Sequence, residues 1–311
     1  MAFLRTVAVV GAGGHLGKEV GRALLSSTFR ASYANVVFLR RQSTEESGKE
    51  SIDGAQLRFY KDDTLSQALQ GVDVLISTVG PAGHDFKDVL IDAIAGSNVK
   101  LYIPSEFGVD HTIHDFPHAE WGRKKDHHEK AVAVIPTTKV CRIYNGLFIE
   151  DSIGPWYGLS VEHGIFESIG SPDKLISFTA LRDVGNVVAQ IARTPIKEIP
   201  ECLHISGDAL TIRQLGAAME HAGSSLIQIK ESDLNDFKQK TLAEGTHDPS
   251  KYLRFLMGEG KIDHTMSGLK NDNELVNPSQ RNWRWKTVAE YAKETGGRPW
   301  FGSNWSADAI K

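Results

Sequence analysis

Apolar positions in the first half of the chain alternate between two periods. Short, continuously apolar or β-branched runs occur at Thr6–Val10, Asn35–Leu39, Gln56–Tyr60, Asp73–Thr78, Val99–Ile103 and Thr138–Ile143. They are too short for helices, so they predict strands. Between them the spacing becomes helical: Leu16, Val20, Ala23 and Leu24 share one face, and so do Val89, Leu90, Ala93 and Ile94 within Phe86–Ala95, where Gly96 supplies a stop. Trp121–Val134 predicts a further helix. Strands alternating with helices imply βαβ units and a parallel sheet, and the wholly apolar Val7–Val10 and Val74–Ile76 suit strands buried on both faces. After about Asn145 the regularity weakens. Turn clusters at Gly154-Pro155, Gly170-Ser171-Pro172 and Gly207-Asp208, a helical stretch Thr211–His221 and a polar region Glu231–Ser250 predict a smaller, more irregular domain over the C-terminal edge of the sheet. The expected fold class is therefore α/β: a doubly wound parallel (Rossmann) sheet over residues 1–150, and a substrate-binding region over 151–311 with some segments returning to the sheet.

The turn after the first strand carries the strongest chemical signal. Gly11, Gly14 and Gly17 are spaced Gly-x-x-Gly-x-x-Gly between an apolar strand and an amphipathic helix, the setting of a dinucleotide-phosphate cradle. Gly11 is expected to permit the sharp turn, Gly14 the approach of backbone N–H groups to a pyrophosphate, and Gly17 close helix packing. The residues expected to hold the dinucleotide are thus Gly11, Gly13, Gly14, His15, Leu16 and Gly17. The second strand runs into Arg40-Arg41 with no acidic residue at its end. An acidic side chain there serves an unphosphorylated ribose, whereas a guanidinium pairs with a 2′-phosphate, so the expected cofactor is NADP(H). Lys49 in the same loop is a third candidate, and solvated loop charges are the alternative for all three. Thr78, Val79 and Gly80, at the end of the fourth strand, are placed to pass the ribose and nicotinamide, unless that Gly-Pro turn is only a turn.

With 311 residues the chain can bury a large core. Its formal net charge of −4 and the lack of a long Lys/Arg block argue against a nucleic-acid partner. Cys141 and Cys202 sit in apolar surroundings, as small core residues of a reducing compartment do. Arg5 interrupts the apolar start, so neither a membrane span nor a signal peptide is expected, and the expected location is cytoplasmic. His114-x-x-x-His118 and His127-His128 lack the cysteine or carboxylate set that would complete a metal site, so no metal is expected.

The segment Tyr102-Ile103-Pro104-Ser105-Glu106-Phe107-Gly108, together with the glycine motif and Arg40, resembles the isoflavone reductase and phenylcoumaran benzylic ether reductase group and the wider NmrA-like proteins, which are atypical short-chain dehydrogenase/reductases. Asp183-Val184-Gly185 and Gly207-Asp208-Ala209-Leu210-Thr211 extend the resemblance more faintly. It implies NADP(H), with Ser105 and Phe107 beside the cofactor. It also implies one lysine on the following helix as proton donor in place of a Tyr-x-x-x-Lys pair, which this sequence lacks. Lys124 and Lys125 compete for that role. Alignment on Lys130-Ala131-Val132 favours Lys125, and Trp121, Lys125, His128 and Val132 share a face expected to look inward. The linker His111, His114, His118 and the segment Ile143–Phe148 depart from the plant members, so no substrate carries over.

The leading expectation is an NADPH-dependent reductase of a small aromatic or conjugated molecule (an enone, quinone, ketone or benzylic ether), hydride coming from the nicotinamide and a proton from Lys125. Its rivals are an NADP(H)-sensing regulator without turnover and a non-redox isomerase or cyclase that keeps the cofactor. Phe148, Trp156, Tyr157, Phe166 and Phe178 follow the last expected strand and are candidates for an aromatic substrate wall, with core packing as the alternative for each. The expected partner is the small-molecule substrate, with no nucleic acid and no membrane; a homodimer is the open alternative to a monomer.

Overall fold

Five of the six apolar runs of the first half, and the start of the sixth, become strands of one parallel sheet. In a computed structural model that describes residues 4–42 and 54–303, β1 (Arg5–Val10), β2 (Tyr33–Arg41), β3 (Gln56–Tyr60), β4 (Val74–Ser77), β5 (Leu101–Ile103) and β6 (Lys139–Val140) lie in the order β3-β2-β1-β4-β5-β6. Every neighbouring pair is parallel. Four helices accompany them: α1 (His15–Leu25), α2 (Leu65–Ala68), α3 (His84–Ala95) and α4 (Ala119–Val134). The run Thr138–Ile143 is not one strand. Cys141 still donates to Tyr102 of β5, but Arg142 donates to Glu201, so β7 (Arg142–Tyr144) changes partner and pairs with Cys202–His204.

Alternate residues of the central strands serve two different cores, as the pleat requires. Val7 and Val9 face Val20 and Leu24 of α1, whereas Ala8 and Val10 face Leu65 of α2 and Leu90, Ile91 and Ile94 of α3. A second helix completes the first core. It is α6 (Leu181–Arg193), contributing Val184, Val187, Val188 and Ile191. It lies so close to α1 that a Cβ built on Gly185 would stand 2.7 Å from the Glu19 carbonyl oxygen.

The intervening and later chain adds β8 (Leu147–Phe148), α5 (Ile149–Ser152), β9 (Leu159–Ser160), β10 (Ile165–Ile169), β11 (Ile176–Thr179), β12 (Cys202–His204) and β13 (Asp208–Leu210). It continues with α7 (Ile212–His221), β14 (Gln228–Ser232), α8 (Leu234–Glu244), α9 (Pro249–Gly258), α10 (Asn273–Val276) and α11 (Val288–Glu294). Two three-stranded sheets, β14-β10-β9 and β13-β11-β8, share a third core built on Phe166, Phe178, Leu215, Met219, Tyr252 and Phe255. The polar stretch Glu231–Ser250 is mostly ordered into α8 and the start of α9, each opened by an aspartate: Asp233 accepts from the Asp236 N–H and Asp248 from the Ser250 N–H. Val276 and Trp285, far along the chain, return to the first core. No helix among the described residues is long and apolar enough to cross a membrane.

Because the space at Gly185 is bounded by backbone, Gly185→Ala is expected to destabilise the protein by about 1–3 kcal/mol through forced separation of α1 and α6. Urea unfolding measures this, and an unchanged midpoint would contradict the packing described.

Candidate active site

The cofactor end of the sheet is built where the strand order reverses, between β1 and β4. Thr78 ties the two tips together, its N–H and its hydroxyl both donating to the Val10 carbonyl at 2.9 and 3.0 Å. The chain then turns at Gly11 with φ +83°, and a Cβ there would stand 2.9 Å from Thr78. Gly17, one helical turn on, passes so near that its Cβ would meet the Gly11 oxygen at 2.2 Å. Its close approach is to the turn itself. Gly14 differs from both: its N–H donates to Gly11 at 3.1 Å, and a Cβ would make only an ordinary contact at 3.6 Å, so the protein's own packing does not demand that glycine. Gly13 is exposed with nothing within 4 Å of its missing Cβ. The unpaired N–H groups of the first turn of α1, beginning at His15 and Leu16, complete a concave donor surface suited to a pyrophosphate.

This surface opens into a cavity of about 940 Å³ running from the glycine turn to the end of β2. Arg40 and Arg41 both line it. Arg41 is ion-paired with Asp62 and lies over the Phe86 ring, 5.8 Å from its centroid, while Tyr60 stacks on Phe86 at 5.6 Å. Lys49 lies outside the described residues. Two cations not foreseen from the sequence, Lys18 and Arg22, line the same cavity from α1. Their four-residue spacing just after Gly17 was the available signal. Val79 also lines the cavity, Gly80 is exposed at the start of the next turn, and Ser105 is half-buried at the end of β5. Phe107 is buried in the first core with φ +35°, a left-handed backbone that bulky residues avoid.

The lysine pair sits on α4 over this loop. The Lys124 ammonium donates to the Glu106 carbonyl at 2.9 Å and lies 3.8 Å from Glu120; Lys125 donates instead to the His114 carbonyl at 3.2 Å. The inward face of α4 is not the expected one. Trp121, His127 and Ala131 are buried while Val132 is 57% exposed, because the packed stripe follows positions 121, 124, 127 and 131 and turns Val132 to solvent. Behind Lys124, Lys87 is buried, and that burial, with the Lys124 charge, lowers its pKa to about 8. Burial raises the Glu106 carboxyl above its ordinary range. Tyr102 and His127 share a hydrogen bond at 2.9 Å beneath them.

The histidine-rich linker packs around Trp121, with the rings of His111, His114 and His118 centred 5.1, 5.0 and 4.5 Å from the indole. None of their six ring nitrogens is hydrogen-bonded within the protein. Burial holds all three below their ordinary pKa, His114 at about 4. No group of three or more His, Cys, Asp or Glu side chains among the described residues is arranged to hold a metal ion.

The five aromatic candidates separate. Phe166 and Phe178 are fully buried in the third core, on inward positions of β10 and β11, and so form no substrate wall. Trp156 donates to the Asp151 carbonyl and packs edge-on against Trp300 at 4.8 Å. Tyr157 is half-buried against the third core. Phe148 is half-buried against the first core, just before α5, where burial raises the pKa of Asp151. None of the five lines the cavity that runs from the glycine turn to Arg40.

A family model described as the NmrA-like family matches residues 4–292. An NmrA-like family domain-containing oxidoreductase of Gibberella moniliformis is 26% identical over 277 residues, covering 82% of this chain and 88% of the relative. The phenylcoumaran benzylic ether reductase Pyrc5 of Pyrus communis is 31% identical over 120 residues, 35% of this chain and 38% of the relative. Among solved structures, the leucoanthocyanidin reductase–NADPH binary complex from Vitis vinifera superposes with a TM-score of 0.72 at 16% identity, covering 94% of this chain and 99% of that one.

The buried histidines make stability depend on pH. A neutral His114 with a folded pKa of about 4 and an unfolded value near 6.5 contributes fully above 6.5, and that contribution is lost as pH falls from about 6.5 towards 4, where the unfolded chain binds the proton first. His114→Phe, which keeps the aromatic packing, is therefore expected to be more favourable relative to the unmodified protein at pH 5 than at pH 8. Urea titrations at the two pH values measure it, and an equal difference at both would contradict a buried neutral imidazole.

Proposed function

The chain belongs to the NmrA-like family, and from that premise we propose that it is an NADPH-dependent reductase of a small aromatic or conjugated molecule, with Lys124 as proton donor. The observation that carries this reading is the adjacency of two features. A glycine cradle stands at the β1/β4 switch point, the loop after β5 leaves the same edge of the sheet with only β4 between, and on that loop's Glu106 carbonyl rests a lysine ammonium. The residues present fit the dinucleotide: Gly11 and Gly17 have no room for a Cβ, the first turn of α1 offers donors, and the cavity extends to Arg40. Bound NADPH would supply hydride to a substrate carbon.

The protein's part is to bind, orient and hold a proton. Arg40, next to last in β2 and lining the cleft, is the choice for a 2′-phosphate, since β2 itself carries no Asp or Glu in its sequence. Lys124 holds its proton beside the strand ends, where an oxygen that gains charge as hydride arrives would be met by a compact cation. Lys125 points to the linker carbonyl of His114 and is the alternative donor. The names of the relatives, which include an oxidoreductase and a benzylic ether reductase, support turnover over sensing.

Oxidation of NADPH, followed by absorbance against a panel of aromatic ketones, quinones, enones and benzylic ethers, tests the reaction. Tight NADPH binding with no turnover on any of them would favour the sensing role. Lys124→Met is expected to slow the chemical step by a factor on the order of 10² or more with NADPH affinity kept, and Lys125→Met to do much less. The reverse order would move the role to Lys125. Arg40→Ala is expected to weaken NADPH by at least about tenfold while leaving NADH affinity nearly unchanged, as charge-assisted bonds to a phosphate are strong. Calorimetric titration of both cofactors decides, and equal losses would refute the assignment.

A further inference from the structure

A second cavity, of about 240 Å³, lies between α4, the strand end Arg142–Tyr144 and the loop after β5, and it shares no lining residue with the cofactor cleft. Every residue that lines it carries a polar or charged side chain. Glu106 and His111, side chains only 4% exposed, stand 3.6 Å apart, too far for a hydrogen bond. Glu106 Oε2, both nitrogens of His111, Nδ1 of His128 and Nε of Arg142 are buried without a hydrogen-bond partner in the protein. Buried polar atoms are nearly always paired, so a concentration of unpaired ones on the residues around one cavity points to a polar occupant.

The lining also states what kind of occupant. With Glu106 neutral, Lys124, Lys125 and Arg142 are met by Glu129 in the wall and by Glu120, 3.8 Å from the Lys124 ammonium, leaving one positive charge uncompensated, which suits a monoanion. Arg142 keeps donors beyond the one it gives to the Tyr144 hydroxyl at 3.1 Å, and Tyr144, accepting there, retains its own proton to donate. The imidazoles and the Glu106 carboxyl can each give or accept a hydrogen bond, as a hydroxyl requires. Burial favours the neutral form of that carboxyl, which removes much of the repulsion an anion would otherwise meet, and keeps His111 and His128 neutral, each able to accept as well as donate. The volume limits the occupant to about the size of a substituted benzoate.

We infer that this cavity is a binding site for a small monoanionic hydroxycarboxylate, its carboxylate held by Arg142 and its hydroxyl by the His111–Glu106 pair. Lys124 forms part of the wall, so an occupant places negative charge beside that ammonium. Any effect on turnover rests on the role given to Lys124 above; binding itself does not.

Salicylate serves as the probe, titrated by calorimetry or ligand-observed NMR into the full chain with and without saturating NADPH. Salicylate is expected to bind in both states, and its neutral analogue salicylamide at least about tenfold more weakly. Arg142→Gln is expected to weaken salicylate by about tenfold or more, and His128→Leu by about threefold, each with NADPH affinity unchanged. If Arg142→Gln no longer binds NADPH, and so has not folded, His128→Leu decides. No salicylate binding at millimolar concentration, equal affinity for salicylamide, displacement by NADPH, or undiminished binding in folded Arg142→Gln or in His128→Leu would each overturn the site.

Discussion

The arrangement depends on one carbonyl. Val10 ends β1, and its oxygen receives both the N–H and the hydroxyl of Thr78 at the end of β4. This pair of hydrogen bonds ties β1 to β4 at the point where the chain crosses from one side of β1 to the other. The chain turns there, and Thr78 occupies the space a side chain at Gly11 would need. Gly17 then has to lie against the Gly11 carbonyl for α1 to begin where it does. The cradle thus follows from backbone crowding at the strand tips, and its donor surface exists before any ligand arrives.

A second constraint governs the other side of the site. The loop after β5 is held by Asp110, whose carboxylate accepts from the N–H and hydroxyl of Thr112 and contacts His204 at 3.0 Å. Burial alone would raise its pKa, yet these hydrogen bonds bring it down to about 2, so the charge persists across the physiological range. With the loop anchored, the linker histidines pack against Trp121 as neutral aromatic rings. His114 and His118 serve as flat, weakly polar filling between α4 and the third core, and His111 adds to the wall of the smaller cavity, neither role calling on a metal.

Strand positions and the glycine turn were legible because they follow from local rules: period-two burial, β-branched runs, and glycines between a strand and a helix. What escaped depends on tertiary neighbours. Cys141 has no local mark of the change of partner that divides the last run, which is set by Glu201 sixty residues on. The face of α4 was misjudged because Val132 is apolar and yet turned outward, while the charged Lys124 follows the packed stripe. Phe166 and Phe178 carry the composition of a substrate wall but sit on inward strand positions, information that requires knowing which side of each small sheet is covered. Helix α8 was readable from Asp233 as its cap, as α9 was from Asp248, but the polar composition of α8 hid it.

The first core is not closed by the first half of the chain. Its outer layer comes from α6, and Val276 and Trp285 seal it from nearly a hundred residues beyond that helix's start. During synthesis that face of the sheet therefore emerges only part-covered: α1 meets Val7 and Val9, while the layer from α6, Val276 and Trp285 is not yet made. Such long-range closure raises contact order and slows folding. It also prolongs exposure of apolar surface on the nascent chain, the condition under which a chaperone is most needed.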